Sequence, residues 1–502
     1  MSPRGTIGGQ GCRPRILLVS YHFPPDQTVG ARRWGQLAPL AVERGWGLDV
    51  IACAPQGSDG RDVEPPPGVR VFRVPPVQLA FDRLECFAAT VHQALRRRAT
   101  VEVASAAVPL GRDIAGEWRR PDFIDRSEVR WQPYPLRHGL RALWARMEYT
   151  RYGQWARRAA SLGMTLLERG VHRAVVTSGP PHMTHHAGRA IAERTGLPFV
   201  MDMRDPWSLS ERVHESIASP VWFWLARRHE RAAVEQAALI VANTEAARES
   251  LVATYPTAAD RLITVMNGSD DDPLPPARRR DRFTIAYAGT IYLKRHPRML
   301  FRAAAAVIRE LALAPGDFGI ELVGGQASGA AALLELARQE GIEGFVSATP
   351  ARSHAEVLEF LAGATMLAIF PGWDSITVPA KLFECIRFDA WLLALSEPGS
   401  ATDRLLQDVP ADVVRPGDVK AMAAAMARRV VEFRRGVRPE RAVTDDRFSR
   451  RRQARILFDA IERLDVRPHG HGRRTEPSAR HAAAESSRNP TRTETTPYGA
   501  RR

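Results

Sequence analysis

With 502 residues and 44% hydrophobic content, the chain can fill two or more cores, since domains run about 100–200 residues each. The net charge is +15, and residues 467–502 contribute +5 of it, with eight Arg against three Glu. Such a balance favours acidic partners: nucleotides, nucleic acid or an anionic membrane surface. Cys12, Cys53, Cys86 and Cys385 form no CxxC pair and no metal-ligand spacing, the first 15 residues lack the apolar core of a signal peptide, and no apolar run reaches the ~18–20 residues of a membrane span. These features argue against a disulfide framework, a cysteine metal site and an integral membrane protein, and a reduced cytoplasmic compartment is expected.

After a flexible leader (1–14), Arg15–Ser20 is an apolar run that predicts a buried parallel strand. A Pro- and Gly-marked loop through Gly30 follows. A helix is predicted from Ala31 to Arg44, with Trp34, Leu37, Leu40 and Ala41 on one face, then a strand over Leu48–Cys53. Strand, loop, helix and strand form a βαβ unit, the opening of a doubly wound α/β domain. Val69–Val74 predicts a third strand. Residues from about 75 to 139 carry Arg and Trp without a clean period and read as an irregular insertion. A helix over Leu143–Glu168 leads to strands at Ala174–Ser178 and Leu197–Asp202. These run into the loops Gly179–His186 and Asp202–Trp207. Ligands of open α/β sheets bind beyond the carboxyl ends of strands, so the loops at Gly30, His182 and Asp202 mark one site. A helix at Val221–Ala238 and strands at Leu239–Asn243 and Ile263–Met266 complete an N-terminal Rossmann-like domain over 15–272. Trp222 and Trp224 on that helix read as packing residues.

Residues 273–281 are Pro-rich and charge-segregated, a linker. Asp270–Asp272 before it read as a solvated acidic run rather than a metal site. A second Rossmann-like domain is expected over 282–445, with strands at Phe283–Tyr287, Gly319–Val323, Gly344–Ser347, Thr365–Phe370 and Trp391–Leu395, the last clear one. A C-terminal helix (446–466) and a basic tail (467–502) too polar to offset its ordering entropy end the chain. The segment Val378–Ile386 stands out. Lys381 and Glu384 are three apart and share a helix face, close to a helix start that Pro379 suits. A cation with free N–H groups suits a diphosphate, and a carboxylate one turn on suits a ribose diol. The same pair also describes an ordinary amphipathic surface helix.

Six stretches in order carry a resemblance: Ile16–Pro25 with Gly30, Thr177–His182, Asp202–Trp207, Asn267–Gly268, Gly289–Tyr292 and Pro379–Glu384. Together they resemble the GT-B-fold glycosyltransferases, family 4 in particular, over most of residues 15–465. The resemblance implies an α/β chain of two Rossmann-like domains facing across a cleft. It further implies transfer of a sugar from a nucleotide-sugar donor to a glycan or lipid-linked acceptor, of the cell-surface polysaccharide or glycolipid type, retaining and metal-independent. No cofactor is implied, since the nucleotide sugar is a substrate. The donor-binding residues would be Glu384 on the ribose, Lys381 with Lys294 or Arg295 on the diphosphate, Gly289 and Thr290 lining the pocket, and Gly30 closing from the N-terminal domain. Asp202, His182, Arg204 and Asp205 would form the catalytic and acceptor side, with Asp202 as first candidate for activating the acceptor. Many members carry a Glu eight residues before the ribose-binding Glu. Here that position is Ile376, and Asp374 lies two residues away as a substitute. The enzyme would be cytoplasmic, with the inner face of the plasma membrane as a candidate anionic surface for peripheral binding. Ile376 is the feature that favours one alternative, a non-catalytic nucleotide- or glycan-binding partner protein. A nucleotide-sugar epimerase of the same fold is another. A nucleic-acid partner, suggested by charge alone, ranks last because the chain shows no binding module.

Overall fold

The computed structural model describes residues 13–26, 28–55, 64–79, 123–126, 129, 136–214, 216–276, 281–289, 291, 297–325, 327–370 and 375–464. Residues 1–12 of the leader, most of the insertion and the tail lie outside that set. Two parallel sheets organise the rest. The first has seven strands in the order β3-β2-β1-β5-β6-β8-β9. These are β1 (Arg15–Ser20), β2 (Gly47–Cys53), β3 (Val69–Val74), β5 (His172–Gly179), β6 (Phe199–Met203), β8 (Leu239–Ala242) and β9 (Leu262–Thr264). Their near-continuous apolar runs suit strands covered on both faces, and Ile16 to Val19 are fully buried. The second sheet runs β12-β11-β10-β13-β14-β15, built from β10 (Phe283–Ala288), β11 (Phe318–Val323), β12 (Val346–Thr349), β13 (Met366–Ile369), β14 (Trp391–Leu395) and β15 (Asp412–Val414). That is the doubly wound order, with its switch point between the first and fourth strands.

Three features depart from the sequence reading. Trp391–Leu395 is not the last strand. Asp412–Val414 adds a sixth, and its three residues are too few to show a period. Within the insertion, β4 (Phe123–Asp125) pairs antiparallel with β7 (Arg212–His214), a hairpin-like contact between distant segments. The C-terminal helix, Arg450–Glu462, returns to the first domain. Its Ala454, Leu457, Phe458 and Ile461 join the core of Trp34, Leu37 and Ala41, and Arg44 donates to Glu462. The chain therefore crosses between the domains twice, near residue 273 and again near residue 449.

A second core feature lies near the edge of the first sheet that carries the strand starts. Asp49 is fully buried and accepts hydrogen bonds from Arg70 Nε at 2.6 Å, Arg15 Nη2 at 2.5 Å and His172 Nε2 at 3.1 Å. Burial pushes its carboxyl up, but the bonds from Arg70, His172 and Arg15 outweigh it and hold the group well below the usual carboxylate range. A depressed folded pKa stabilises the protein above the unfolded value, about 3.9, and the gain is lost as pH falls below it. In thermal unfolding, the gap between wild type and Asp49→Asn is expected to be constant from pH 7 to 5 and to narrow towards pH 3. A gap that is the same at pH 3 and pH 7 would remove the charged carboxylate from the account.

Candidate active site

Between the carboxyl edges of the two sheets lies a cleft with a cavity of about 550 Å³. The second domain supplies its floor. The helix Ala380–Cys385 has six residues, starts after Pro379 and has no side-chain cap. It is too short for the helix-end field expected from the sequence, so the charge in this wall comes from side chains. Lys381 and Glu384 both line the cleft, as their spacing required. Lys381 Nζ donates to the carbonyl of Ala288, at the end of β10, and sits 5.7 Å from the Tyr287 ring centroid. Gly289 next to it has φ +153°, and a Cβ there would run into the Lys381 ammonium and the Tyr287 hydroxyl. Here the glycine is required both by backbone and by the approach of the lysine. Glu384 Oε1 accepts from Arg32 Nη2 at 3.2 Å, and His354 Nε2 lies 3.5 Å away. Arg32 belongs to the helix Val29–Glu43 of the first domain, so this ion pair spans the cleft. Thr290, Lys294, Arg295 and Asp374 lie outside the described residues.

The acceptor-side candidates separate in space. Asp202 is fully buried beneath the cleft, not on its wall. Its carboxylate accepts from Arg33 Nη2 at 2.9 Å, Arg33 Nε at 3.0 Å, Trp34 Nε1 at 2.8 Å and Ser178 Oγ at 3.2 Å. Four hydrogen bonds, two of them from the buried Arg33, saturate it, which corrects its expected role in activating an acceptor. His182 is also corrected. Its ring stacks on Trp207 at 5.0 Å and 13°, it bonds to the Pro206 backbone, and the buried Nδ1 is turned towards Gly179. Burial, then the charges of His185 and Arg204, hold its pKa well below the ordinary histidine value. The ring thus packs on Trp207 rather than lining the cleft between the two sheets. Arg204 and Asp205 do line the cleft. Arg204 Nε bonds to Asp205 at 3.4 Å, and its Nη2 donates to the Pro180 carbonyl at 3.3 Å. Gly30 faces this guanidinium, which occupies the space a side chain would take.

Sequence reasoning did not single out Arg32 and Arg33, although the Gly30–Ala31–Arg32–Arg33 run at a helix start was a usable signal. It also read Asp270 as solvated. Asp270 is instead largely buried, bonded to Arg450 Nε and Gln36 Nε2 at 2.6 Å each and to Arg32 Nη2 at 3.3 Å. Burial raises its pKa, but the nearby Arg450 charge and hydrogen bond, helped by Arg32, bring it below the usual value. Ile376 is placed against the first domain. It lines a small apolar pocket with Ala247 and Leu251, and its carbonyl accepts from Thr244 Oγ1 at 2.6 Å. A glutamate in this orientation would face apolar side chains, which accounts for an apolar residue here.

No protein-family model matches the chain. Among curated proteins it is 27% identical over 205 residues to D-inositol 3-phosphate glycosyltransferase 1 of Catenulispora acidiphila, a match covering 37% of this chain and 48% of that protein. The chain thus spans about half the length of the curated relative it matches. Among solved structures it is similar to sucrose-phosphate synthase from Thermosynechococcus elongatus (14% identity, TM-score 0.54, 89% of this chain and 96% of that one). TarM is similar at 8% identity and TM-score 0.55, over 89% and 98% of the two chains. A UDP-forming alpha,alpha-trehalose-phosphate synthase from Burkholderia xenovorans follows at 12% identity and TM-score 0.53, over 90% and 99%. At such identities the structures speak for the fold. Two doubly wound sheets facing across one cleft, in a chain similar along its length to these structures, are the GT-B fold.

Proposed function

We propose that the protein is a glycosyltransferase that moves a sugar from a nucleotide-sugar donor to a glycan or lipid-linked acceptor. The observation that carries this is Lys381 and Glu384 side by side on the cleft wall, with Lys381 at the end of the first strand of the second domain. Glu384 takes the ribose diol, exchanging Arg32 for two hydroxyl donors. Lys381 moves from the Ala288 carbonyl to the leaving diphosphate. Arg32, released from Glu384, adds a second positive charge from the opposite wall. Cations placed against developing charge lower a group-transfer barrier, so the reading assigns leaving-group stabilisation to side chains rather than to a metal. The reading also includes retention at the anomeric carbon and, through the net charge of +15, contact with an anionic membrane surface. Among the described residues no helix is long and apolar enough to cross a membrane.

The test is release of nucleoside diphosphate from a panel of nucleotide sugars, with a membrane-glycolipid extract as acceptor and product analysis by mass spectrometry. Extract-dependent release with a hexose added to a product supports transfer. Conversion of the donor to its epimer without release supports the epimerase. Binding without turnover of any donor supports the non-catalytic partner protein, which Ile376 favours.

A further inference from the structure

The sequence reads Trp222 and Trp224 alike as packing residues, and the structure separates them. Both belong to the helix Pro220–Gln236. Trp222 is buried, whereas Trp224 is 54% exposed. Trp224 shares its outer face with Arg227, Arg228 and Arg231, three, four and seven residues on, and all three are exposed. The Arg228 guanidinium lies over the Trp224 ring, 5.4 Å from its centroid. The helix Leu136–Leu166 packs against this one through Tyr149, which stacks on His229 at 5.6 Å. Its own outer face carries Leu140 at 56% and Leu143 at 47% exposure, followed by the exposed Arg146. A lone exposed apolar side chain is ordinary. Here two adjacent helices hold three of the six large apolar residues that stand exposed among the described ones. The charge around them is one-sided. With Arg157 and Arg158, the two helices expose six arginines against one acid, Glu235. Among the described residues none of the six makes an ion pair. By contrast, Arg338 is paired with Glu335 at 2.7 Å and Arg404 with Glu249 at 2.6 Å.

We propose that the outer face of these two helices docks the protein on an anionic bilayer. Trp224, Leu140 and Leu143 enter the interface, and the arginines meet lipid phosphates. The proposal rests on the glycosyl-transfer reading for its purpose, access to a lipid-linked acceptor, but not for its geometry. Net charge alone gives membrane contact without a place, and the two helices give it one. Aromatic and aliphatic side chains set among arginines match an interface in which headgroup phosphates overlie hydrocarbon. A nucleic acid would take the arginines and leave Leu140 and Leu143 in water. The inner sides of the same helices border the acceptor side of the cleft. Tyr149 and Trp222 line a space that shares Asp205 and Arg212 with the cleft wall. A bilayer on the outer face therefore lies about one helix diameter, ~10 Å, from that space.

The experiment is flotation of the full chain with vesicles of phosphatidylcholine, alone or mixed with phosphatidylglycerol, at low and high salt. Binding is expected for the anionic vesicles only, and is expected to fall about tenfold or more at high salt. Each arginine near an anionic surface contributes about fivefold in partition, so Arg227→Gln/Arg228→Gln/Arg231→Gln is expected to weaken binding about 100-fold. Leu140→Ser/Leu143→Ser/Trp224→Ser is expected to weaken it about tenfold or more. Both variants are expected to keep the wild-type melting temperature, because every replaced side chain is exposed. Equal binding to neutral vesicles overturns the proposal. So does binding that survives in both variants, which would place it on the basic segment 467–502 or on net charge. Tighter binding to an RNA duplex than to vesicles, or a dimer that separates in the apolar variant, would put another occupant on the face and overturn it as well. Release of nucleoside diphosphate from the donor panel tests the transferase reading separately. Release without flotation overturns the docking face alone. Flotation without release from any donor overturns the transferase reading and leaves the docking face standing.

Discussion

Arg33→Met is expected to lower the unfolding free energy by about 3–5 kcal/mol, the scale for leaving one member of a buried ion pair without its partner. Both side chains are essentially buried, Arg33 at 2% exposure and Asp202 at 0%. Arg33 reaches further than the carboxylate. Its Nη2 also donates to the Val265 carbonyl at 3.1 Å, and its Nη1 to the Met266 carbonyl and Asn267 Oδ1 at 3.3 Å each. It therefore ties the first helix to β6 and to the segment that leaves the domain. Denaturant melts read the cost. In the double variant Arg33→Met/Asp202→Asn the carboxylate charge is gone, while Trp34 and Ser178 keep an acceptor, so a substantial part of the loss is expected to return. A single Arg33→Met variant within 1 kcal/mol of wild type would show that water or a neighbour reaches Asp202 and that the pair does not hold this wall.

The second large effect divides between the two residues of the donor wall. Glu384→Gln is expected to raise KM for the donor, because a charge-assisted hydrogen bond contributes about 1.5–3 kcal/mol, or about 10- to 150-fold in affinity. The Arg32–Glu384 pair does not prevent this binding. Arg32 is 45% exposed, and an ion pair of that exposure is worth at most about 1 kcal/mol, less than the ribose bonds that replace it. Lys381→Ala is expected to act on kcat instead, by about 10²–10³-fold, since a charge met by the departing diphosphate counts most in the transition state. Steady-state kinetics on the donor identified by the panel separates the two. Equal losses of kcat in both variants, with KM unchanged, would refute the assignment of Glu384 to the ribose.

Much of this was visible in the chain itself. Runs such as Ile16–Val19 and Leu392–Leu395 are apolar on both faces, and buried parallel strands are the local answer to that pattern. Their alternation with helices determines two doubly wound domains, and the i,i+3 spacing determines that Lys381 and Glu384 share a face. Strands of three residues, such as Asp412–Val414, are too short to carry a period and emerge only from pairing with Leu393–Leu395.

What the tertiary structure alone decided is which polar groups meet. Asp202 looked available because it ends a strand at the cleft, yet Arg33, 169 positions away in sequence, takes both its oxygens. Asp270 looked solvated until Arg450 reached it across 180 positions. Glu148 lies on a long helix with nothing to distinguish it from its neighbours, and only the fold sets it half-buried beside Trp222 and Tyr149. Hydrophobic periodicity is a property of adjacent residues, so the sequence carries it openly. The charge state and reach of a buried side chain depend on partners brought in from elsewhere in the fold, and no local pattern records them.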